Sequence, residues 1–149
     1  MVSIKAVYDY IHACIKENLP EPSFQQIALQ ALEFKVSEGF VFSELTYVHY
    51  EIWKNEESVE KDLPKIMASV ELTVLAADIL DDLQDKDNHT APWMEWNNSI
   101  ALNLVPLLLN LSKIAFMDTS LPFDKKEMLV NYLLEYEILG LRGQYLDIT

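Results

Sequence analysis

The sequence predicts an all-α chain, on three observations. Apolar residues recur at helical spacing through long segments, only three glycines and six prolines punctuate 149 residues, and no stretch alternates apolar with polar side chains as a half-buried strand does. Half of the residues are hydrophobic, which suits a packed core and excludes a disordered chain. Residues 1–149 read as a single helical domain or part of one, long enough to bury roughly two-thirds of the unfolded surface.

The first helix carries Ile4, Val7, Tyr8, Ile11, Cys14 and Ile15 on one stripe, and Pro20 and Pro22 end that unit. Ser23 with Gln26 three residues on reads as a capping box that opens the second helix, whose inward face is Phe24, Ile27, Ala28, Ala31 and Phe34. Gly39 punctuates. Phe40–Trp53 follows, rich in aromatic and β-branched residues, so the residues alone leave its helical character open. Lys54–Lys61 reads as a charged surface loop. Asp62 then caps a helix with Pro64 in its first turn, and from Ile66 to Leu80 this helix is apolar on nearly every side, as a central, surrounded element must be. After the loop at His89–Pro92 a long apolar helix runs from Pro92 to Phe116, with a kink expected at Pro106. Asp124 and Glu127 read as a second capping box, opening a last helix to about Asp147.

Composition narrows the partners. A net charge of −13 argues against nucleic acid and anionic membrane surfaces, which both need a basic face. The lone Cys14 permits no internal disulfide, fits a reducing compartment and continues the apolar stripe of its helix, so a core role is expected. Met1–Asn18 carries charges where a signal peptide would be apolar. The run Ile100–Leu111 is broken by Asn103, Pro106 and Asn110, too short to span a bilayer. A cytoplasmic protein without a transmembrane segment is the expectation.

The central helix ends in acid: Asp78, Asp81, Asp82, Asp85 and Asp87. On a 3.6-residue helix positions 78, 81, 82 and 85 form one stripe, and four like charges on one face need compensation. Such a run can be a solvated helix end; acid at the negative end of a helix dipole is unfavourable, though, and a bound cation resolves it. Mg²⁺ is the natural candidate, a hard cation that takes carboxylate oxygens and keeps positions for phosphate. An EF-hand reading fails, because from Asp85 the sixth position is Thr90 and the twelfth Trp96. Zinc fares no better, with one cysteine and three scattered histidines, His12, His49 and His89. Gly-rich phosphate loops and nucleophile elbows are not found.

Asp81, Asp82 and Asp85 spell DDxxD, which resembles the first aspartate-rich motif of the trans-isoprenyl diphosphate synthases. Ala68 and Glu71 match that superfamily's Ala-x-x-Glu approach, and Gly143, Gln144 and Asp147 in GQYLD match its Gly-Gln-x-x-Asp. DILDDLQDKDN followed closely by APWM is most similar to the ComQ-type pheromone-modifying prenyltransferases. The resemblance implies an isoprenoid-synthase-like helical bundle, favours a helix at Phe40–Trp53, and implies Mg²⁺-dependent ionisation of an allylic prenyl diphosphate. It makes Asp81 and Asp85 the metal ligands, with Asp82 orienting water or a ligand as part of the catalytic set. Gln144 and Asp147, on one face of the last helix, would bind substrate with them. It also implies a second aspartate-rich motif downstream. None occurs in this sequence, so the N-terminal half of a polyprenyl-synthase-like domain is expected, or else a regulatory relative. Homodimers are the family's usual association.

Geometry adds the tail. Residues one turn before Asp81 point down the cavity, and Ala76 and Ala77 are both small, so nothing there blocks ten or fifteen carbons; ordinary alanine packing explains them equally. Thr73 and Val70 lie deeper. The departures are informative too. Chain-elongating synthases carry a Gly-Gly-Lys-x-x-Arg segment and an arginine pair after DDxxD; here the second stretch reads KDNHTAPWMEW and the chain's one arginine is Arg142. Only Lys35 and Lys86 remain as diphosphate contacts, and Arg is the side chain that grips phosphate bidentately. Arg142 either touches the donor or pairs with Glu135 or Glu137; the ion pair is expected. Trp93 and Trp96 either line an acceptor entrance or, more commonly, anchor a loop. Together these favour an acceptor without diphosphate, such as a peptide aromatic side chain, which fits what the ComQ-type resemblance implies: transfer of a geranyl or farnesyl group to a tryptophan of a quorum-sensing pheromone precursor peptide. A chain-elongating synthase, a terpene cyclase and a non-catalytic helical subunit are the alternatives.

Overall fold

The computed structural model describes residues 3–54 and 59–149. Among these residues there are six α-helices, one short 3₁₀ helix and no strand, the all-α class expected and consistent with an isoprenoid-synthase-like bundle. The helices are α1 (Ile4–Asn18), α2 (Pro22–Glu38), α3 (Val41–Trp53), α4 (Leu63–Asp85), α5 (Asn98–Met117) and α6 (Phe123–Asp147), with the 3₁₀ turn at Pro92–Met94. Residues 55–58 of the expected charged loop Lys54–Lys61 lie outside the described residues.

α4 is the axis. It packs chiefly on α5, then on α1 and α3, with a lighter contact to α2, and buries Leu63, Met67, Ala68, Leu72, Leu75, Ala76 and Ile79 among them. From α5 come Ala101, Leu104, Leu108 and Leu111, and from α1 Val7, Ile11 and Ile15. An element touched on so many sides must be apolar around its circumference, which is what Ile66–Leu80 provides. α5 is also long and apolar enough to cross a membrane by length and composition, more so than its interrupted sequence suggests. It lies beside α4 in the core.

Helix starts correct two expectations. α2 begins at Pro22, not after Ser23, with Glu21 at the N-cap and no side-chain cap; proline's fixed φ suits the first helical position, where its missing N–H costs nothing. α6 begins at Phe123 with Pro122 at the N-cap and likewise lacks a side-chain cap, so Asp124 contributes through the helix dipole and makes no capping box. Asp62 does stand at the N-cap of α4, yet its carboxylate does not cap it. It accepts from the Ser120 N–H at 2.8 Å and the Ser120 hydroxyl at 2.6 Å, tying the α5–α6 loop to the start of α4. Pro92–Met94 forms its own turn, and α5 begins only at Asn98, capped by the Asn97 side chain. Pro106 sits inside α5, which is helical on both sides of it.

Cys14 is buried, and burial pushes its thiol up to about 11, an inert core thiol. His49 and His89 are exposed.

Candidate active site

The acidic stripe of α4 divides three ways. Asp78 pairs with the Lys35 ammonium from α2 at 2.7 Å, a contact made by a lysine that is itself buried. Asp82 turns into the core, where its Oδ2 accepts from the Trp93 indole N–H at 2.7 Å and from the Asn88 amide at 3.1 Å. Burial raises the Asp82 carboxyl, and the Trp93 and Asn88 hydrogen bonds oppose that shift. Asp81 and Asp85 stay exposed.

α6 brings the second half of the arrangement. The Gln144 side-chain amide donates to Asp81 Oδ1 at 2.7 Å, across 63 positions of sequence. Asp147 comes near enough that desolvation, then the carboxylates of Asp81, Asp87 and Asp147, hold the Asp85 carboxyl above its ordinary range. Like charges gathered this way disfavour ionisation of the carboxyl they surround. Among the described residues no three His, Cys, Asp or Glu side chains already form a metal cage. Mg²⁺ does not require one, since it binds through one or two carboxylates, several waters and substrate phosphates. The donor set at Asp81 and Asp85 fits that chemistry.

Beneath Gln144 a cavity of about 240 Å³ runs between α4, α5 and α6. Its wall holds Thr73, Ala76, Ala77 and Leu80 from α4, Val105 and Leu109 from α5, and Tyr136, Glu137, Gly140, Leu141 and Gln144 from α6. Ala76 is buried and Ala77 exposed, and both line this space; Val70 does not. The α5 and α6 wall was not anticipated, although positions 137, 140, 141 and 144 share one helical face and could have been read from GQYLD backwards.

Other candidates land elsewhere. Lys86 is the C-cap of α4 in the left-handed conformation, φ 59°, its backbone N–H bonded to the Asp82 carbonyl; its side chain is exposed. Trp93 is fully buried, edge-on to Phe34 with ring centroids 5.1 Å apart, which makes it a loop anchor. Trp96 packs partly buried against the same core. The expected Arg142 ion pair does not form: Glu137 is taken by Lys113 at 2.7 Å, and Arg142 is exposed. Glu71, of the Ala-x-x-Glu motif, is buried and accepts from the Ser43 N–H at 2.6 Å, docking the first turn of α3 onto α4.

An all-helical bundle that holds an acidic cluster at the mouth of an apolar channel is of the isoprenoid-synthase-like kind. Sequence comparison narrows the class: the chain is a relative of the ComQ-type prenyltransferases. It is 33% identical over 143 residues to tryptophan prenyltransferase ComQ of Bacillus subtilis subsp. natto strain BEST195, covering 91% of this chain and 43% of that protein. To tryptophan prenyltransferase ComQ of Bacillus subtilis strain 168 it is 29% identical over 135 residues, 91% of this chain and 42% of that one. A third ComQ, from Bacillus spizizenii, is 32% identical over 111 residues. The chain thus spans about two-fifths of the length of these relatives. No family model matches the chain, and no solved structure matches it.

Proposed function

We propose that this chain carries the donor-binding portion of a Mg²⁺-dependent prenyltransferase, which ionises an allylic diphosphate and delivers the prenyl group to a tryptophan of a pheromone precursor peptide. One observation carries the reading: Gln144 of α6 is hydrogen-bonded to Asp81 of α4 at the mouth of an apolar cavity. A polar, anionic rim above a hydrocarbon-lined channel suits a molecule with a charged head and an isoprenoid tail. The tryptophan acceptor follows from the printed names of the relatives and from a chain whose one arginine offers no clamp for a second diphosphate.

The barrier is heterolysis of the allylic carbon–oxygen bond. When bound, Mg²⁺ would supply Lewis-acid neutralisation of the departing pyrophosphate. Asp81 and Asp85 would hold the ion, and Gln144 and Asp147 would fix the rim from α6. Asp82, held by Trp93 and Asn88, keeps the end of α4 in place and so orients the two ligands. Ala76, Ala77 and Thr73 receive the tail, and the apolar wall excludes water from the nascent cation.

The test uses the longest native form of the protein with Mg²⁺ and geranyl or farnesyl diphosphate. One reaction receives a tryptophan-containing precursor peptide and a second receives isopentenyl diphosphate, with products read by mass. Prenylated peptide is the expected product. Longer prenyl diphosphates instead would identify a chain-elongating synthase and overturn the reading.

A further inference from the structure

We propose that Lys35 is a tethered counter-ion that decides which carboxylates of the acidic stripe take the cation; this rests on the Mg²⁺ reading above. The stripe contains two carboxylate pairs of the same i, i+4 spacing, Asp78 with Asp82 and Asp81 with Asp85. Side chains four apart on a helix stand about 5–6 Å from each other at Cβ, so either pair has the spacing to hold one cation. By sequence the two are equivalent, and the fold makes them unequal.

Asp78 is held by the Lys35 ammonium at 2.7 Å. Lys35 is itself buried, with its ammonium 6.0 Å from the centre of the Phe42 ring. A divalent cation arriving at Asp78 would have to displace that ammonium and leave a buried charge unpaired, which is strongly unfavourable. Asp82 gives Oδ2 to Trp93 and Asn88, and Trp93 rests on Phe34, the neighbour of Lys35 in α2. Two consecutive residues of α2 thus occupy the Asp78–Asp82 pair, Lys35 directly and Phe34 through Trp93. Asp81 and Asp85 stay exposed, and the partner of Asp81 is the neutral amide of Gln144.

The choice of pair matters because the two face different ways. Asp78 meets α2, and Glu71, two turns earlier on the same face, meets α3. Asp81 stands one turn above Ala77, which lines the cavity. A cation on Asp78 and Asp82 would draw a diphosphate to the α2 side, away from the channel mouth. Lys35 prevents this and is a positioning residue that touches neither donor nor acceptor.

Titration of Mn²⁺ alone into the longest native form of the protein, with free Mn²⁺ read by electron paramagnetic resonance, tests this without donor or acceptor; Mn²⁺ shares the preference of Mg²⁺ for carboxylate and water oxygens. Asp81→Ala is expected to weaken binding by about tenfold or more, and Asp78→Asn to leave it within about twofold, since that carboxylate already belongs to the lysine. Lys35→Met combined with Asp81→Ala is expected to regain about tenfold over Asp81→Ala alone, because Asp78 and Asp82 then accept the ion. A tenfold loss in Asp78→Asn overturns the proposal, and so does a combined variant that binds no better than Asp81→Ala. If the combined variant does not fold, Asp78→Asn decides by itself. Mn²⁺ binding that requires Lys35→Met and is absent from the wild type would uphold the role of the lysine and overturn the cation reading of Asp81 and Asp85. Binding by neither overturns both.

Discussion

Two buried carboxylates carry most of the residue-scale consequences. Trp93 satisfies Asp82 while filling core volume beside Phe34. Trp93→Phe keeps a ring but removes the indole donor, leaving a buried carboxylate with Asn88 alone; a loss of about 1–3 kcal/mol in unfolding free energy is expected by urea titration. Trp93→Ala removes the packing as well, and a cost of about 3–5 kcal/mol is expected. Glu71 makes the pH case. Burial, its largest influence, raises its carboxyl in spite of the Ser43 hydrogen bonds and the Lys35 charge, and its Oε2 has no partner. A carboxyl raised on folding binds its proton more tightly in the folded state, so this group's contribution to stability is fully present below its unfolded value and is lost as pH rises through the raised one. Glu71→Gln keeps an oxygen for the Ser43 N–H and removes the charge. It is expected to be at least as stable as the wild type at pH 7, with its stability varying less between pH 7 and pH 5, measured by urea midpoints. A variant clearly weaker at pH 7 would show that the ionised form is the one the fold needs.

At the scale of elements, what was legible follows the hydrophobic period. α1 came straight from spacing, because burial on a fixed face leaves a 3.6-residue trace, and α4 from an apolar run that continues around its circumference. α3 needed the family resemblance, since its aromatic and β-branched residues suit a strand as well; in the fold, Glu71 receives its first turn. Capping boxes at Ser23 and Asp124 failed because each helix began earlier, beside Pro22 and Pro122, and prolines preset the entry dihedral before any hydroxyl or carboxylate can act. Asp81, Asp85, Gln144 and Asp147 were legible as motif, whereas the division of the stripe by Lys35 and Trp93 was not. Nor was the Lys113–Glu137 ion pair. Those contacts join residues from separate helices, and only packing reveals them. α6 itself buries no residue, so its own propensity matters more than usual. A Cβ on Gly143 would meet nothing within 4 Å, and Gly143→Ala is expected to stabilise the helix by about 0.5–1 kcal/mol, read as a higher urea midpoint.

The whole molecule is held around α4 but is apolar on its flanks. On α6, Tyr136, Ile138, Leu139, Tyr145 and Leu146 are more than half exposed; Ile52 and Trp53 of α3 are too. Surfaces of this kind are uncommon on a monomer. The 149-residue chain is therefore expected to self-associate, with light scattering giving a mass above that of one chain; a clean monomer of 17.2 kDa would contradict this. In the proposed enzyme the acidic stripe is divided by role, with Asp81 at the donor and Asp82 in the scaffold. The most direct test of that division is mass-detected prenylation of the precursor peptide by the longest native form of the protein, comparing wild type, Asp81→Ala and Asp82→Asn in Mg²⁺. Asp81→Ala is expected to lower product by about a hundredfold or more, while Asp82→Asn, whose amide oxygen still accepts from Trp93, retains most of it. Equal loss in the two variants, or full activity without the Asp81 carboxylate, would contradict the account.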